Sequence, residues 1–375
     1  MAGKIDIRIV QSSKDMMTFI KFPWKIYRDD PHWVPPLLMD RKKFLNRRKN
    51  PFFKENPTEF YLAYRNGEVV GRIAAIVNHL HNEYHKDKTG FFGFLEAVND
   101  RAVFEALLNT AKVWLRERGL ESMMGPMNPS TNDEVGFLLE GFDSPPFVMM
   151  THTPPYYIEQ MEALGYEKAK DLLAFMISES SLKNPAKLTR VSKAIRKKYP
   201  VKIRSVDLKH FGEELERVRQ VYNDAWAPNW GFVPMTTAEF DFVANDFKQI
   251  INPNLVLIGE YEDQPVGFLL ALPDYNQVFA KIRNGRLLPF GIFTFLLNKS
   301  KINRIRVVTL GIVKKFQLLG FGALFYEEII KRGLAEGFKT AEMSWVLEDN
   351  DLMIKAAKLL GGHVHKKYRI YQTPL

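Results

Sequence analysis

The stretch Val307-Val-Thr-Leu-Gly-Ile-Val-Lys-Lys-Phe-Gln-Leu-Leu-Gly-Phe-Gly-Ala-Leu-Phe-Tyr326 decides how the chain folds. Val307, Val308, Leu310 and Ile312 make an apolar, β-branched run that predicts a buried strand. Lys314-Lys315 forms a short basic turn. Gln317-Leu-Leu-Gly320-Phe-Gly322 then opens a helix whose apolar positions Leu318, Phe321, Leu324 and Phe325 recur at helical spacing. A strand, a glycine turn and a helix start together make an anion site. Glycine lets the backbone approach a ligand, and the N–H groups of the first helical turn favour phosphate oxygens. The pattern is one glycine short of a dinucleotide fingerprint and lacks the Gly-Lys-Ser/Thr ending of a P-loop.

Downstream, Lys339-Thr-Ala-Glu-Met-Ser-Trp-Val346 reads as the next strand. Leu347-Glu-Asp-Asn350 leads into a helix from Asp351 to Leu360, with Asp349 or Asn350 as N-cap and Gly361-Gly362 as its stop. Lys367–Tyr371 is a last strand. This order, with Gln317, Gly320 and Gly322 matching Gln/Arg-x-x-Gly-x-Gly/Ala, resembles the acyl-CoA pyrophosphate loop and C-terminal half of the GNAT superfamily of N-acetyltransferases over residues 201–375.

Composition sets the outer limits. A chain of 375 residues has room for two domains. With 46% hydrophobic and 26% charged residues it reads as an ordinary globular protein. Zero cysteines exclude disulfides, thiolate metal sites and cysteine nucleophiles. The opening Met-Ala-Gly-Lys-Ile-Asp has no apolar signal core, and no run reaches the length of a membrane span, so a cytoplasmic location is expected. The net charge of +10 suits an anionic partner such as coenzyme A, which accounts for part of the excess. No zinc-finger, RRM or homeodomain signature is present, and nucleic acid is not expected as a partner. His152 has no second histidine or acid at ligand spacing and reads as a structural or substrate-contact histidine, so no metal is expected.

The N-terminal half opens with a strand at Lys4–Val10 and a helix at Asp15–Tyr27. Two irregular aromatic loops follow, Asp29-Asp-Pro-His-Trp-Val-Pro-Pro36 and Asn50-Pro-Phe-Phe53. Glu59–Tyr64 and Glu68–Val77 flank Asn66-Gly67, a strong hairpin signal that also looks like the second and third GNAT strands. A strand at Thr89–Leu95, a helix at Arg101–Arg118 and a strand near Ser122–Met127 complete an α/β unit. The stretch Glu96-Ala-Val-Asn-Asp-Arg101 holds no pyrophosphate motif, and its acids would repel a phosphate. Residues 1–180 therefore read as a degenerate GNAT-like domain on the acceptor side. Its polar loop, with Asn128, Thr131, Asn132 and Glu134, and the Tyr156-Tyr157 pair suit recognition of an amine or hydroxyl. An Asn/Ser/Pro connector with turn chemistry alone is the competing reading of that loop.

Residues 181–200 read as a basic linker helix with Leu188, Val191 and Ile195 on one face. A solvated interdomain helix and a membrane-surface contact are its two readings. Leu287–Leu297, eleven residues without a charge, is too short to span a bilayer and suits a packed helix, a dimer contact or a lid over an acyl chain. Residues 201–375 form the second domain. Its hairpin at Leu255–Tyr261 and Pro265–Leu272 repeats residues 59–77, so the fold class is mixed α/β: two tandem GNAT-like domains, each a twisted mixed sheet flanked by helices.

The resemblance implies acetyl-CoA or a longer acyl-CoA as donor, held by Leu310, Gly311, Ile312, Val313, Gln317, Leu318, Gly320, Phe321, Gly322 and Asn350. It places the acceptor in an interdomain cleft, near Trp226, Asn229, Trp230, Asp274 and Asn276 as well as the N-terminal loop. The tyrosine that often protonates the departing thiolate is replaced by Ala357, leaving Tyr326, Tyr368 or Tyr371 as substitutes. Glu342 is the leading base, beside Glu348 and Asp274. The whole-chain pattern also resembles a bacterial family of tandem GNAT-like proteins, with bacterial ceramide synthases looking related. That implies an acyl-CoA-dependent N-acyltransferase acting on a lipid amine, peripheral to the inner membrane. A non-catalytic acyl-CoA or lipid binder and an aminoacyl-tRNA-dependent transferase are the alternatives.

Overall fold

The computed structural model describes residues 3–227 and 229–375. The chain forms two units. The first comprises Met1–Asp171, Asn276–Asn298 and Lys366–Leu375; the second comprises Leu172–Tyr275 and Lys299–His365.

In the first unit the sheet runs Ile5–Ile9, Thr58–Arg65, Glu68–Val77, Thr89–Ala97, Ser122–Gly125 and then the last strand, His363–Pro374. The hairpin turns at Asn66 and Gly67, both at positive φ (51° and 82°) as a two-residue type I′ turn requires. The helix Arg101–Arg116 buries Val103, Phe104, Leu107, Leu108, Ala111 and Leu115 against one face of the sheet. Each Val, Leu or Phe among them is worth about 1.5–3 kcal/mol when fully buried. Pro23 splits the expected Asp15–Tyr27 helix into Ser13–Lys21 and Pro23–Ile26, because its ring removes one helical hydrogen bond. Phe52–Glu55, expected to be irregular, is a single helical turn.

The second unit repeats this register. Val256–Tyr261 pairs with Gln264–Pro273 around Glu262 and Asp263, again both at positive φ (50° and 61°). Both hairpins carry a bulge just before the turn, at Ala63/Tyr64 and at Gly259/Glu260. From the outer edge the order is Val201–Ser205, Val256–Tyr261, Gln264–Pro273, Arg304–Ile312, Thr340–Leu347 and then residues 172–178 of the strand Glu167–Ser178. The helix Gly322–Ala335 buries Leu324, Phe325 and Ile329 in this unit's core. The basic helix Pro185–Lys198 packs on it: Ile195 is buried, Ser192 donates to the Ala323 carbonyl at 3.3 Å, and Arg196 pairs with Glu327. Val191, expected on the apolar face, is exposed.

Each sheet is completed by a strand from the other half of the sequence. Residues 172–178 pair with Thr340–Leu347, and residues 367–374 pair with Ser122–Gly125 and Phe137–Glu140. A cut near residue 180 would expose a bare strand edge on either product.

Candidate functional site

In the second unit Arg304–Val307 runs parallel to Thr340–Met343, and the ladder stops at that last pair. Both strands continue beyond it. Each is irregular where the ladder stops: a bulge at Val308 shifts the register against Gln264–Pro273, and Thr340–Leu347 shifts against its other neighbour between Met343 and Val346. Among the described residues, no strand pairs with residues 308–310 on the side of Thr340–Leu347. At its end, Gln317 Nε2 donates to the Ile312 carbonyl at 2.6 Å and ties the loop to the strand. Gly320 sits at φ +79°, where an L side chain is strained, and Gly322 begins a 14-residue helix whose positive end faces the loop.

Next to this edge, Trp226 at the end of helix Phe211–Trp226 lies over Gly311, where a Cβ would run into its ring. Trp226 stacks on Tyr222 at 5.0 Å and packs on Phe268 at 5.4 Å. Tyr326, one turn into the Gly322 helix, donates its hydroxyl to Met353 Sδ at 3.3 Å. Met353 is one helical turn before Ala357, so a neighbouring helix supplies a phenol near the position expected to lack one. Burial pushes the Tyr326 hydroxyl far above its usual range, keeping it protonated.

Behind the edge lies a buried polar chain. The Glu342 carboxylate is fully buried. It accepts from Ser344 Oγ at 2.6 Å through Oε1, and His365 Nε2 lies 2.7 Å from Oε2. Arg306, also buried, donates through Nε to Ser344 Oγ at 2.9 Å and through its terminal nitrogen to the Ser344 carbonyl at 3.1 Å. A carboxylate without such partners would cost several kcal/mol to bury. Ser344 is the first residue after the ladder ends, so the network reaches from the sheet interior to the parted strands. Asp274, buried too, is 3.2 Å from Arg304.

The first unit has the same parallel pair, Thr89–Phe91 with Ser122–Met124. There the chain fills the space itself. Asn128 Oδ1 accepts from the Phe94 N–H at 2.6 Å, and a Cβ at Gly93 would collide with the Met127 carbonyl. The corresponding pairing register puts Glu96 opposite Arg72, where the second unit has Gly311 opposite Phe268. Glu96 accepts from Tyr157 at 2.6 Å and Tyr27 at 2.8 Å, with Arg72 at 3.7 Å. Burial raises the Glu96 carboxyl above its usual range, and Arg72 with the two phenols opposes that rise. Glu96 therefore does not act by repelling a phosphate at the surface; it is the acceptor of an interior cluster.

Tyr368 and Tyr371 are buried side chains of the first unit, with the Tyr371 hydroxyl on Glu162 at 3.3 Å. Phe321 turns its ring into the core beside Tyr199, and Asn350 caps the Asp351–Leu359 helix through Met353 N–H. Leu318 is 82% exposed. Glu134 is paired with Arg41, Tyr156 donates to the Ala97 carbonyl, and the amide of Asn132 bonds Ser130. Thr131 belongs to the same bend. Asn229 accepts from Phe232 N–H through its carbonyl in the turn that carries Trp230. Asn276 belongs to the first unit and donates to the Pro146 carbonyl. The residues that sequence reasoning missed are His365, Ser344 and Arg306, all on the face that Glu342 presents. Period-two alternation from Glu342 to Ser344 was the available signal. Among the described residues no group of three or more His, Asp and Glu side chains could hold a metal ion.

No protein-family model matches the chain. Protein YghO of Escherichia coli is 36% identical over 375 residues, covering 98% of this chain and 95% of that protein. A bacterial ceramide synthase of Caulobacter vibrioides is 36% identical over 373 residues, covering 98% and 96%. Among solved structures, a tandem GNAT protein from the clavulanic acid biosynthesis pathway superposes with a TM-score of 0.59 at 10% identity, covering 99% of this chain and 98% of that one. A GCN5-related N-acetyltransferase from Sphaerobacter thermophilus gives 0.53 at 11% identity, covering 99% and 95%. The chain has the tandem GNAT fold and belongs to the family of YghO and the Caulobacter ceramide synthase.

Proposed function

We propose that this protein is an acyl-CoA-dependent N-acyltransferase that loads its donor on the second unit and transfers a long acyl chain to a lipid amine. The observation that carries the reading is the parting of the strands after Val307 and Met343, next to the left-handed Gly320 and the start of the Gly322 helix. The free edge of residues 308–310 suits the amide groups of a pantetheine arm, and the helix start suits a pyrophosphate. In the first unit Met127 and Asn128 take the corresponding space, which favours the second unit as the donor's host. The ceramide synthase among the relatives favours a long-chain amine as acceptor.

The thioester supplies the activated acyl carbonyl, and the chain's own groups manage the protons. An amine attacks as the neutral base, so its proton must leave. Glu342 takes it through Ser344 Oγ, the group that connects the carboxylate to the opening, while His365 holds the second carboxylate oxygen. Tyr326, whose hydroxyl burial keeps protonated, is the proton donor we propose for the leaving sulfur. Trp226 walls the opening on the helix side.

Thermal stabilisation by palmitoyl-CoA tests the donor site. A ligand at a hundredfold excess over its dissociation constant stabilises by about 2.7 kcal/mol. Wild type should show this shift and Gly320→Glu should lose it, since position 320 needs positive φ and the new carboxylate would repel phosphate. Equal shifts in both proteins would place the donor elsewhere.

A further inference from the structure

We infer that the segment Asn276–Asn298 is a docking surface for an anionic lipid bilayer, formed by Leu288, Phe290, Phe293, Leu296 and Leu297. These side chains are 66%, 79%, 61%, 51% and 72% exposed. Large apolar side chains gathered in one patch at such exposure mark an interaction site, whereas scattered ones need no explanation. Phe290, Phe293 and Leu297 follow at helical spacing and share one side of the helix Ile292–Asn298 and the turn before it. Gly291, Ile292 and Phe295 face the other way, and Phe295 stacks on Phe279 at 6.2 Å.

The patch is held out by a fixed base. Trp24 Nε1 donates to the Arg283 carbonyl at 2.8 Å, Arg283 donates to the Trp33 carbonyl at 2.8 Å, and Leu38 N–H donates to the Gly285 carbonyl at 2.8 Å. Gly285 sits at φ +65° against the Trp24 ring and the Pro36 carbonyl, where a side chain has no room. The proline-rich aromatic loop Asp30–Pro36 is thereby the pedestal of the segment. Asp30 fixes that loop by accepting from the His32 and Trp33 amides, and lies 2.8 Å from His152 Nε2.

Charge selects the occupant. In the sequence Lys281, Arg283 and Arg286 precede the apolar run and Lys299 and Lys301 follow it, with no acidic residue between Asp274 and Glu327. An apolar helix face bordered by Lys and Arg matches acyl chains below a layer of anionic headgroups. A second copy fits less well, since a symmetric contact through this patch would bring like charges together. Among the described residues no helix is long and apolar enough to cross a membrane, so the surface would lie on the bilayer.

Co-sedimentation with vesicles tests this, using phosphatidylcholine alone and an equal mixture with phosphatidylglycerol. Wild type should bind the mixed vesicles about tenfold more tightly than the neutral ones, with weakening as salt rises. The triple variant Phe290→Ser, Phe293→Ser, Leu297→Ser should lose about tenfold on the mixed vesicles. All three side chains are solvent-facing, so its melting temperature should match wild type and report that the fold is kept. Lipid binding equal in the two proteins, or no binding by wild type to either vesicle, overturns the assignment. So does a wild-type dimer in sedimentation equilibrium that the triple variant converts to monomer, which would make the patch a self-association surface.

Discussion

Replacing Glu342 by Gln should lower kcat by about 10²–10⁴-fold while leaving the melting temperature close to wild type. The two halves of this expectation come from the same geometry. Gln is isosteric, and its carbonyl oxygen can still accept from Ser344 while its amide donates to His365 Nε2 once the imidazole carries its hydrogen on Nδ1, so neither partner is stranded. What it cannot do is accept the amine proton. His365→Gln, which removes the partner and not the carboxylate, should cost less in kcat and more in stability. Should Glu342→Gln retain full kcat, the carboxylate would be a structural partner of Ser344 and His365, and the proton acceptor would have to be sought elsewhere.

The largest expected stability loss is at Arg72, in the first unit. Arg72→Met should destabilise by about 3–5 kcal/mol, because it leaves Glu96 buried without its cation. For a unit of this size that corresponds to a fall of roughly 10 °C in melting temperature. Adding Glu96→Gln should recover most of the loss: the glutamine carbonyl still accepts from Tyr27 and Tyr157, and no charge remains to be compensated. The cycle is followed by thermal melts of the four proteins. If the double variant is no more stable than Arg72→Met, the cost comes from lost packing of Arg72 over Phe19 and its bond to the Phe19 carbonyl.

Much of the fold was legible because its signals are local. Asn66-Gly67 prescribes the first hairpin, and Gln317-x-x-Gly320-x-Gly322 prescribes a strand, a left-handed turn and a helix start within six residues. The second hairpin was read only as a repeat of the first, since Glu262 and Asp263 adopt positive φ with no residue preference that announces it. The exchange of residues 172–178 and 367–374 between the two sheets was not legible, because strand partners far apart in sequence leave no mark on local pattern.

The candidate site divides the same way. The loop residues Gln317, Gly320 and Gly322 carry a spacing signal. The network behind them does not: Arg306, Glu342, Ser344 and His365 come from three strands, and each looks in sequence like an ordinary polar residue. Tyr371 was drawn toward the site by residue type alone, and its place in the first unit's core follows from pairing with Gly125. Asn128, expected to contact an acceptor, accepts from the Phe94 N–H, a bond that depends on a neighbour 34 residues away.

Turnover is the most direct test of the central claim. Palmitoyl-CoA and acetyl-CoA would each be incubated with a long-chain amino alcohol, with free thiol and the N-acyl product followed together by mass spectrometry for wild type, Gly320→Glu and Glu342→Gln. The account predicts equal amounts of thiol and amide from palmitoyl-CoA with wild type, and neither above background with the two variants. Stabilisation by palmitoyl-CoA without release of thiol from any acceptor would contradict it and leave a protein that binds acyl-CoA without catalysis.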